Sequence, residues 1–222
     1  MKRIIALIMV IGVLFLTACD AVSVGIIGGA DGPTNITVSE NNYKKTFMEK
    51  YVNERKLPAL DIHIENPFIS DDRTLILDDT FENNLELMIY EYYRNLMSGS
   101  YQEAKEIIAD DSLLAATEAH ENNFKQGIYY SQIFLDDVEL ADRDDLDEIS
   151  DNNKQAIVAK LNELNVSEFG NVKVEKTIKH NELSLSLVPQ VGDGEVTRYF
   201  LLGKINNDYK IIEVYWEGFM ED

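Results

Sequence analysis

The stretch of sequence that decides the fold is FENNLELMIYEYYRNLMSGSYQEAKEII, residues 81–108. Apolar side chains recur at intervals of three and four over residues 81–96, and this period predicts an amphipathic helix. Asp79 with Glu82 resembles a capping pair at its start, and Gly99 is a residue type that ends helices. The folded part of the chain is therefore expected to begin with this helix.

Three more helices are predicted after it. Ser100 and Glu103 match a capping box that opens the second helix. Asp110 begins a third, which runs to about residue 126 and places apolar side chains on one face. A fourth helix is predicted over residues 151–164, where Asp151 supplies the cap.

Alternating apolar residues indicate strands in the rest of the chain. The longer alternating segments are residues 129–142, 171–180, 183–188, 195–205 and 209–216. Two short ones, residues 61–65 and 73–78, precede the first helix. Asn206-Asn207-Asp208 predicts a hairpin turn between the last two strands. Helices followed by an antiparallel sheet, with one helix inserted, predict an α+β fold.

Two of these segments resemble parts of NTF2-like (SnoaL-like) domains. YYRNLMSGSYQEA, residues 92–104, is similar to the first helix-turn-helix of that family, and GKINNDYKII, residues 203–212, resembles its closing hairpin. The resemblance covers roughly residues 79–222. It implies N-terminal helices packed on a curved antiparallel sheet, which together form a cone around a pocket. Some members of the family are enzymes and many only bind ligands.

The N-terminal residues predict where the protein is located. Two basic residues precede an apolar run, residues 4–16, which has the length of a signal-peptide core and is shorter than the roughly 20 residues of a membrane-spanning helix. The sequence LTAC at residues 16–19 then resembles the lipobox of bacterial lipoproteins, in which the cysteine is acylated. This resemblance implies a protein attached to the cell membrane, on its extracytoplasmic face, through a lipid on Cys19. The alternative is a plain signal peptide.

These predictions divide the chain into three parts. Residues 1–18 are the lipoprotein signal peptide. Residues 19–78 hold the lipid anchor, a glycine-rich motif and a flexible linker. Residues 79–222 form the NTF2-like α+β domain.

The glycine-rich motif is GIIGGADGPT, residues 25–34. It resembles a signature of the membrane-embedded beta subunit of sodium-pumping decarboxylases, but no second long hydrophobic run follows, so sodium transport is not expected. Its glycine spacing fits neither a dinucleotide fingerprint nor a P-loop. Three interpretations stay open: a spacer, a recognition segment for a partner or processing enzyme, or a site for a small ligand or ion. The residues concerned are Gly25, Gly28, Gly29, Asp31, Gly32, Pro33 and Thr34.

Composition excludes several classes of function. The net charge of -20 repels phosphate backbones and excludes a general nucleic-acid binder. A single cysteine excludes an internal disulfide and a thiolate zinc cluster. The acidic run at residues 136–148 fails the EF-hand pattern, and no metal or other cofactor is expected. The three histidines, His63, His120 and His180, lack metal-ligand spacing and are interpreted as solvated or structural.

The sequence therefore favours a non-enzymatic binding or interaction protein, whose partner is another protein or a small ligand. The inward positions assigned from the sequence are apolar or aromatic, and no catalytic pair is visible among them. The numerous tyrosines are interpreted as packing residues or as walls of a pocket. The alternative is a small enzyme with its site in the cone. This enzyme alternative is favoured if two or more polar side chains converge inside the cone and have shifted pKa values.

Overall fold

The computed structural model describes residues 57–64, 68–77, 80–142, 149–166, 168–187 and 193–216. Cys19 and the glycine-rich motif lie outside these residues, as do the signal peptide and the linker up to residue 56. Residues 143–148, the second part of the acidic run at residues 136–148, are also outside them.

The described residues form both helices and strands. Their order along the chain is β1 (Ala59–His63), β2 (Thr74–Leu77), β3 (Thr80–Asn83), α1 (Asn84–Ser98), α2 (Tyr101–Glu106), α3 (Asp111–Lys125), β4 (Tyr130–Leu140), α4 (Asp151–Glu163), β5 (Phe169–His180), α5 (Glu182–Leu187), β6 (Gly194–Ile205) and β7 (Asp208–Trp216). None of these helices is both long and apolar enough to cross a membrane.

A curved five-stranded sheet has the strand order β2-β4-β5-β6-β7. Strands β4 to β7 are antiparallel to their neighbours, and β2 lies parallel to β4 at the edge. Strands β1 and β3 pair separately in a two-stranded antiparallel sheet. The predicted α+β fold, with N-terminal helices and a curved sheet, is confirmed.

Each face of the large sheet has its own hydrophobic core. The main core joins the first helices to one face, where Leu85 and Ile89 of α1 are fully buried together with Val174 of β5. The second core lies on the other face, where Ile157 of α4 is buried with Tyr215 of β7. Alternation along each strand sends successive side chains to these two cores.

The predicted start of α1 is wrong, although its end is confirmed. Phe81 lies in strand β3, and the helix begins after Asn83, whose side-chain oxygen accepts hydrogen bonds from the backbone N–H groups of Leu85 and Glu86 at 3.0 and 3.1 Å. Asparagine is a favoured N-cap, and this bond pair fixes the start. Gly99 ends the helix in the left-handed conformation, at φ 82°.

Two further predictions need correction. Ser100 is the N-cap of α2, but its side chain makes no capping hydrogen bond, so the capping box is not formed. The segment predicted as a strand over residues 183–188 is the short helix α5 instead. The side-chain oxygen of Asn181 accepts a hydrogen bond from the Ser184 N–H at 3.0 Å, and this local cap favours a helix over a strand.

The sheet also includes residues that the sequence analysis places in the linker. Strand β2 lies before residue 79, yet it pairs with β4, and Leu75 and Leu77 are buried in the main core. The sequence boundary at residue 79 therefore excludes one strand of the folded unit.

Candidate functional site

A cavity of about 240 Å³ lies between the first helices and the large sheet. Helices α1 and α3 form one side, and strands β4 to β7 form the other. Ala116 of α3 lines the cavity and is itself exposed, so the cavity reaches solvent beside this residue. The polar side chains that line it are Tyr92, Tyr93, His120, Tyr130, Lys176 and Arg198.

Strand β5 places Lys176 inside this cavity. Val172, Val174 and Lys176 follow one another at every second position, so they share the face that is turned to the main core. Lys176 is only 8% exposed, which is rare for a lysine.

The buried ammonium group of Lys176 is held by Tyr93. Its Nζ atom donates a hydrogen bond to the Tyr93 hydroxyl and lies 4.3 Å from the centre of that ring. Burial, and next the positive charge of Arg198, lower the pKa of Lys176 from 10.5 to about 7. Burial likewise raises the pKa of the Tyr93 phenol well above its usual value, so Tyr93 stays neutral. Near neutral pH, Lys176 therefore exchanges between its charged and uncharged forms.

Helix α3 contributes His120 to the same cavity. Leu113, Thr117, His120 and Phe124 recur at helical spacing, which places them on one face. The Nε2 atom of His120 lies 3.4 Å from the hydroxyl oxygen of Tyr130. Burial lowers the pKa of His120 to about 4, with smaller contributions from Lys176 and His180, so the imidazole is uncharged at neutral pH.

Arg198 brings a second positive charge. It lies on β6 opposite Val174 of β5, and paired residues of an antiparallel sheet share a face, so Arg198 and Lys176 both face the cavity. Tyr130 stays neutral because burial raises its pKa to about 12. Among its described lining residues, the cavity thus has two basic side chains, uncharged phenols and imidazole, and no carboxylate.

Aromatic rings form a large part of the remaining wall. The ring centres of Tyr93 and Phe200 lie 6.2 Å apart in an edge-to-face arrangement, and those of Tyr92 and Tyr93 lie 5.3 Å apart in a similar one. The Tyr92 hydroxyl is 3.3 Å from that of Thr117, which satisfies the buried polar group. This packing fixes the ring of Tyr93 beside the Lys176 ammonium.

The three histidines have different surroundings. His63 is exposed and lies 3.1 Å from the Thr80 hydroxyl, and His180 lies 3.4 Å from a carboxylate oxygen of Asp193. These two fit the interpretation as solvated or structural residues, whereas His120 lines the cavity. No group of three or more His, Cys, Asp or Glu side chains that suits a metal ion is present in the described part of the chain.

The inward positions assigned from the sequence are apolar or aromatic, but they are incomplete, because Lys176, Arg198 and His120 also line the cavity. Lys176 was detectable because it continues the alternation of Val172, Val174 and Ile178 on the inward face of its strand. His120 was detectable because it follows Leu113 by seven residues and precedes Phe124 by four, which places it on the apolar stripe of α3.

Comparisons with protein-family models, curated proteins and solved structures found no match for this chain.

Proposed function

We propose that the protein is a lipid-anchored, extracytoplasmic binding protein whose NTF2-like domain holds a small molecule in the cavity around Lys176. The observation that carries this proposal is the position of Lys176, which is buried in a cavity of about 240 Å³ beside Arg198. A buried basic group without an acidic neighbour destabilises a fold. Functional sites often lower the stability of a fold. A destabilising buried lysine is therefore consistent with a binding site in which a ligand supplies the missing interaction.

The size and lining of the cavity suit a small organic molecule. An apolar cavity of roughly 150 Å³ accepts benzene, so this larger one has room for a single ring with a substituent. Apolar and aromatic walls with few convergent polar groups are typical of ligand sites.

The proposal is tested with benzyl alcohol as a probe of the cavity. Saturation-transfer NMR on the full chain, purified in detergent, is expected to show binding of this alcohol to the wild type. Ala116→Trp places a large ring where the cavity reaches solvent and should abolish the signal. Ala119→Trp is the matched control, because Ala119 is exposed on the same helix and does not line the cavity. An equal signal from all three proteins, or none from the wild type, contradicts the proposal.

An enzyme that uses the same cavity is the second candidate. The observation that favours it is the convergence of Lys176 and His120, whose pKa values are both lowered by burial. The uncharged fraction of Lys176 has a free electron pair, so its Nζ atom is able to attack a carbonyl carbon and form an imine with loss of water.

The enzyme candidate is tested by trapping that imine. Benzaldehyde with cyanoborohydride at pH 7 is expected to convert Lys176 to a secondary amine, and peptide mass spectrometry locates the modified residue. Preferential modification of Lys176 over the exposed Lys179 supports a nucleophilic amine. Equal or weaker modification of Lys176 contradicts it and leaves the binding proposal standing.

A further inference from the structure

The amine of Lys176 lies in a cavity that opens to solvent, although the residue itself is buried. Lys176 is 8% exposed, and the cavity that it lines has a volume of about 240 Å³. The cavity reaches the surface beside Ala116. A water molecule in the liquid takes up about 30 Å³, so a molecule of three heavy atoms has room to enter and to lie next to the amine.

The hydrogen-bond partner of the Lys176 amine is neutral. Nζ donates to the hydroxyl of Tyr93, and this phenol keeps its proton because burial raises its pKa. No Asp or Glu is among the described residues that line the cavity. Burial therefore leaves part of the Lys176 amine uncharged near neutral pH, whereas an ordinary lysine, with a pKa of about 10.4, is almost fully protonated there.

An uncharged lysine amine in an apolar site is a nucleophile, and carbon dioxide is a small electrophile for it. The free electron pair of Nζ attacks the carbon atom of carbon dioxide. An N–C bond forms, and the electrons of one C–O π bond move to the oxygen atom. Nζ then gives one proton to solvent, so the products are a carbamate, –NH–COO⁻, and H⁺. The step consumes no oxidant, metal or other cofactor.

The side chains around Lys176 suit this anionic product. A phenol hydroxyl both accepts and donates hydrogen bonds, so the Tyr93 hydroxyl, which accepts from the amine, donates to an oxygen of the carbamate after rotation. Hydrogen bonds to an ionised oxygen are stronger than those between neutral groups. The other titratable groups that line the cavity are Tyr92, His120, Tyr130 and Arg198.

We propose that Lys176 is a site of carbamylation, at which carbon dioxide forms a carbamate that the Tyr93 hydroxyl holds in place. The modification replaces a buried positive charge with a negative one, and it thereby changes the charge that a ligand meets in the cavity. It goes beyond the proposed function and is tested separately, because benzyl alcohol probes the cavity and carbon dioxide probes the amine.

The test traps the carbamate in the full chain, purified in detergent. The wild type is equilibrated at pH 8 with ¹³C-labelled bicarbonate, which supplies carbon dioxide, and triethyloxonium then converts carbamates to stable esters. Peptide mass spectrometry locates the ¹³C label. We expect at least tenfold more label on Lys176 than on Lys179, which is exposed on the same strand. Equal labelling of the two lysines, or no label on Lys176, overturns the proposal and leaves the binding cavity standing.

Lysine variants identify the amine in solution. ¹³C NMR of the same mixture, without the trapping reagent, is expected to show a carbamate signal that Lys176→Met removes. Lys179→Met is the matched control and should keep the signal. A full signal from Lys176→Met contradicts the proposal. If this variant does not fold, the peptide map of the wild type decides the matter alone.

Tyrosine variants identify the group that holds the carbamate. Tyr93→Phe removes the hydroxyl that contacts Lys176 and is expected to lower the carbamate fraction at least threefold. Tyr92→Phe is the matched control, because the Tyr92 hydroxyl lies 3.3 Å from that of Thr117, and this variant should keep the wild-type fraction. An equal fraction in both variants overturns the role of Tyr93.

Discussion

The Nζ atom of Lys176 donates a hydrogen bond to the hydroxyl of Tyr93, although the two residues lie 83 positions apart in the chain. Tyr93 is on α1 and Lys176 on β5, so this bond joins the first helix to the centre of the sheet. Both side chains are almost completely buried. The bond satisfies the hydroxyl, but it leaves the charge of Lys176 without an acidic partner among the described lining residues of the cavity.

Lys176→Met is expected to stabilise the protein at low pH. The pKa of Lys176 is lowered in the folded state, so the unfolded state binds more protons and wild-type stability rises with pH from about 7 to 10.5. Below pH 7 the charged lysine destabilises the fold by on the order of 5 kcal/mol. Loss of the bond to Tyr93 offsets about 1–3 kcal/mol of the gain in the variant. Urea unfolding should find the variant more stable at pH 6, with the difference shrinking or reversing by pH 10. A difference that does not change with pH contradicts this assignment.

Leu75→Ala is expected to destabilise the protein by about 2–5 kcal/mol, because Leu75 is completely buried and its truncation leaves a cavity in the core. Ile69→Ala is the matched control, since Ile69 is 70% exposed and its truncation should change stability by about 0.5 kcal/mol or less. Urea unfolding of the full chain compares the two. Equal stabilities would show that β2 does not belong to the folded unit.

Cys19→Ala is expected to release the protein from the membrane or to leave its signal peptide unprocessed. The proposed lipid on Cys19 is the anchor that the sequence predicts, and the apolar run before it is shorter than a membrane-spanning helix requires. Metabolic labelling with a fatty acid and cell fractionation check this. Labelling of the variant at the wild-type level means that the lipid is elsewhere.

Asp31→Ala is expected to leave the melting temperature unchanged. The glycine-rich motif loses much backbone freedom on ordering, and its apolar residues form no periodic face that would dock on a domain. If the motif is a recognition segment, the variant changes which proteins co-purify with the chain. A drop of several degrees in the melting temperature would place the motif inside the folded unit.

Regular periodicity made most of the secondary structure predictable. Helix α3 was predicted over residues 110–126 and spans Asp111–Lys125, because its cap and its apolar spacing are both local. Strand β5 was predicted over residues 171–180 and spans Phe169–His180. The pairing of β2 with β4 was not predictable in this way, because periodicity indicates a strand and does not identify its partner. The helix α5 was missed because the periodicity of a short apolar run does not distinguish a helix from a strand. The cap from Asn181 decides between the two conformations.

The candidate site was harder to predict than the fold. Charged residues are nearly always exposed, so sequence analysis assigns only apolar residues to the buried face of a strand and leaves out Lys176. Arg198 precedes Phe200 by two residues on β6 and was passed over for the same reason. The proximity of Lys176, Arg198 and His120 depends on the pairing of β5 with β6 and on the packing of α3 against the sheet. Neither can be deduced from local patterns.

The central claim is that Lys176 faces a ligand cavity as a buried basic group, and its own titration tests this most directly. NMR of the full chain with ¹³C-labelled lysine follows the Cε resonance of Lys176 against pH, and Lys176→Met identifies the signal. We predict a pKa of about 7, because burial disfavours the charged ammonium form. A pKa near 10.5 would show a solvated or already paired ammonium group, and would contradict the account.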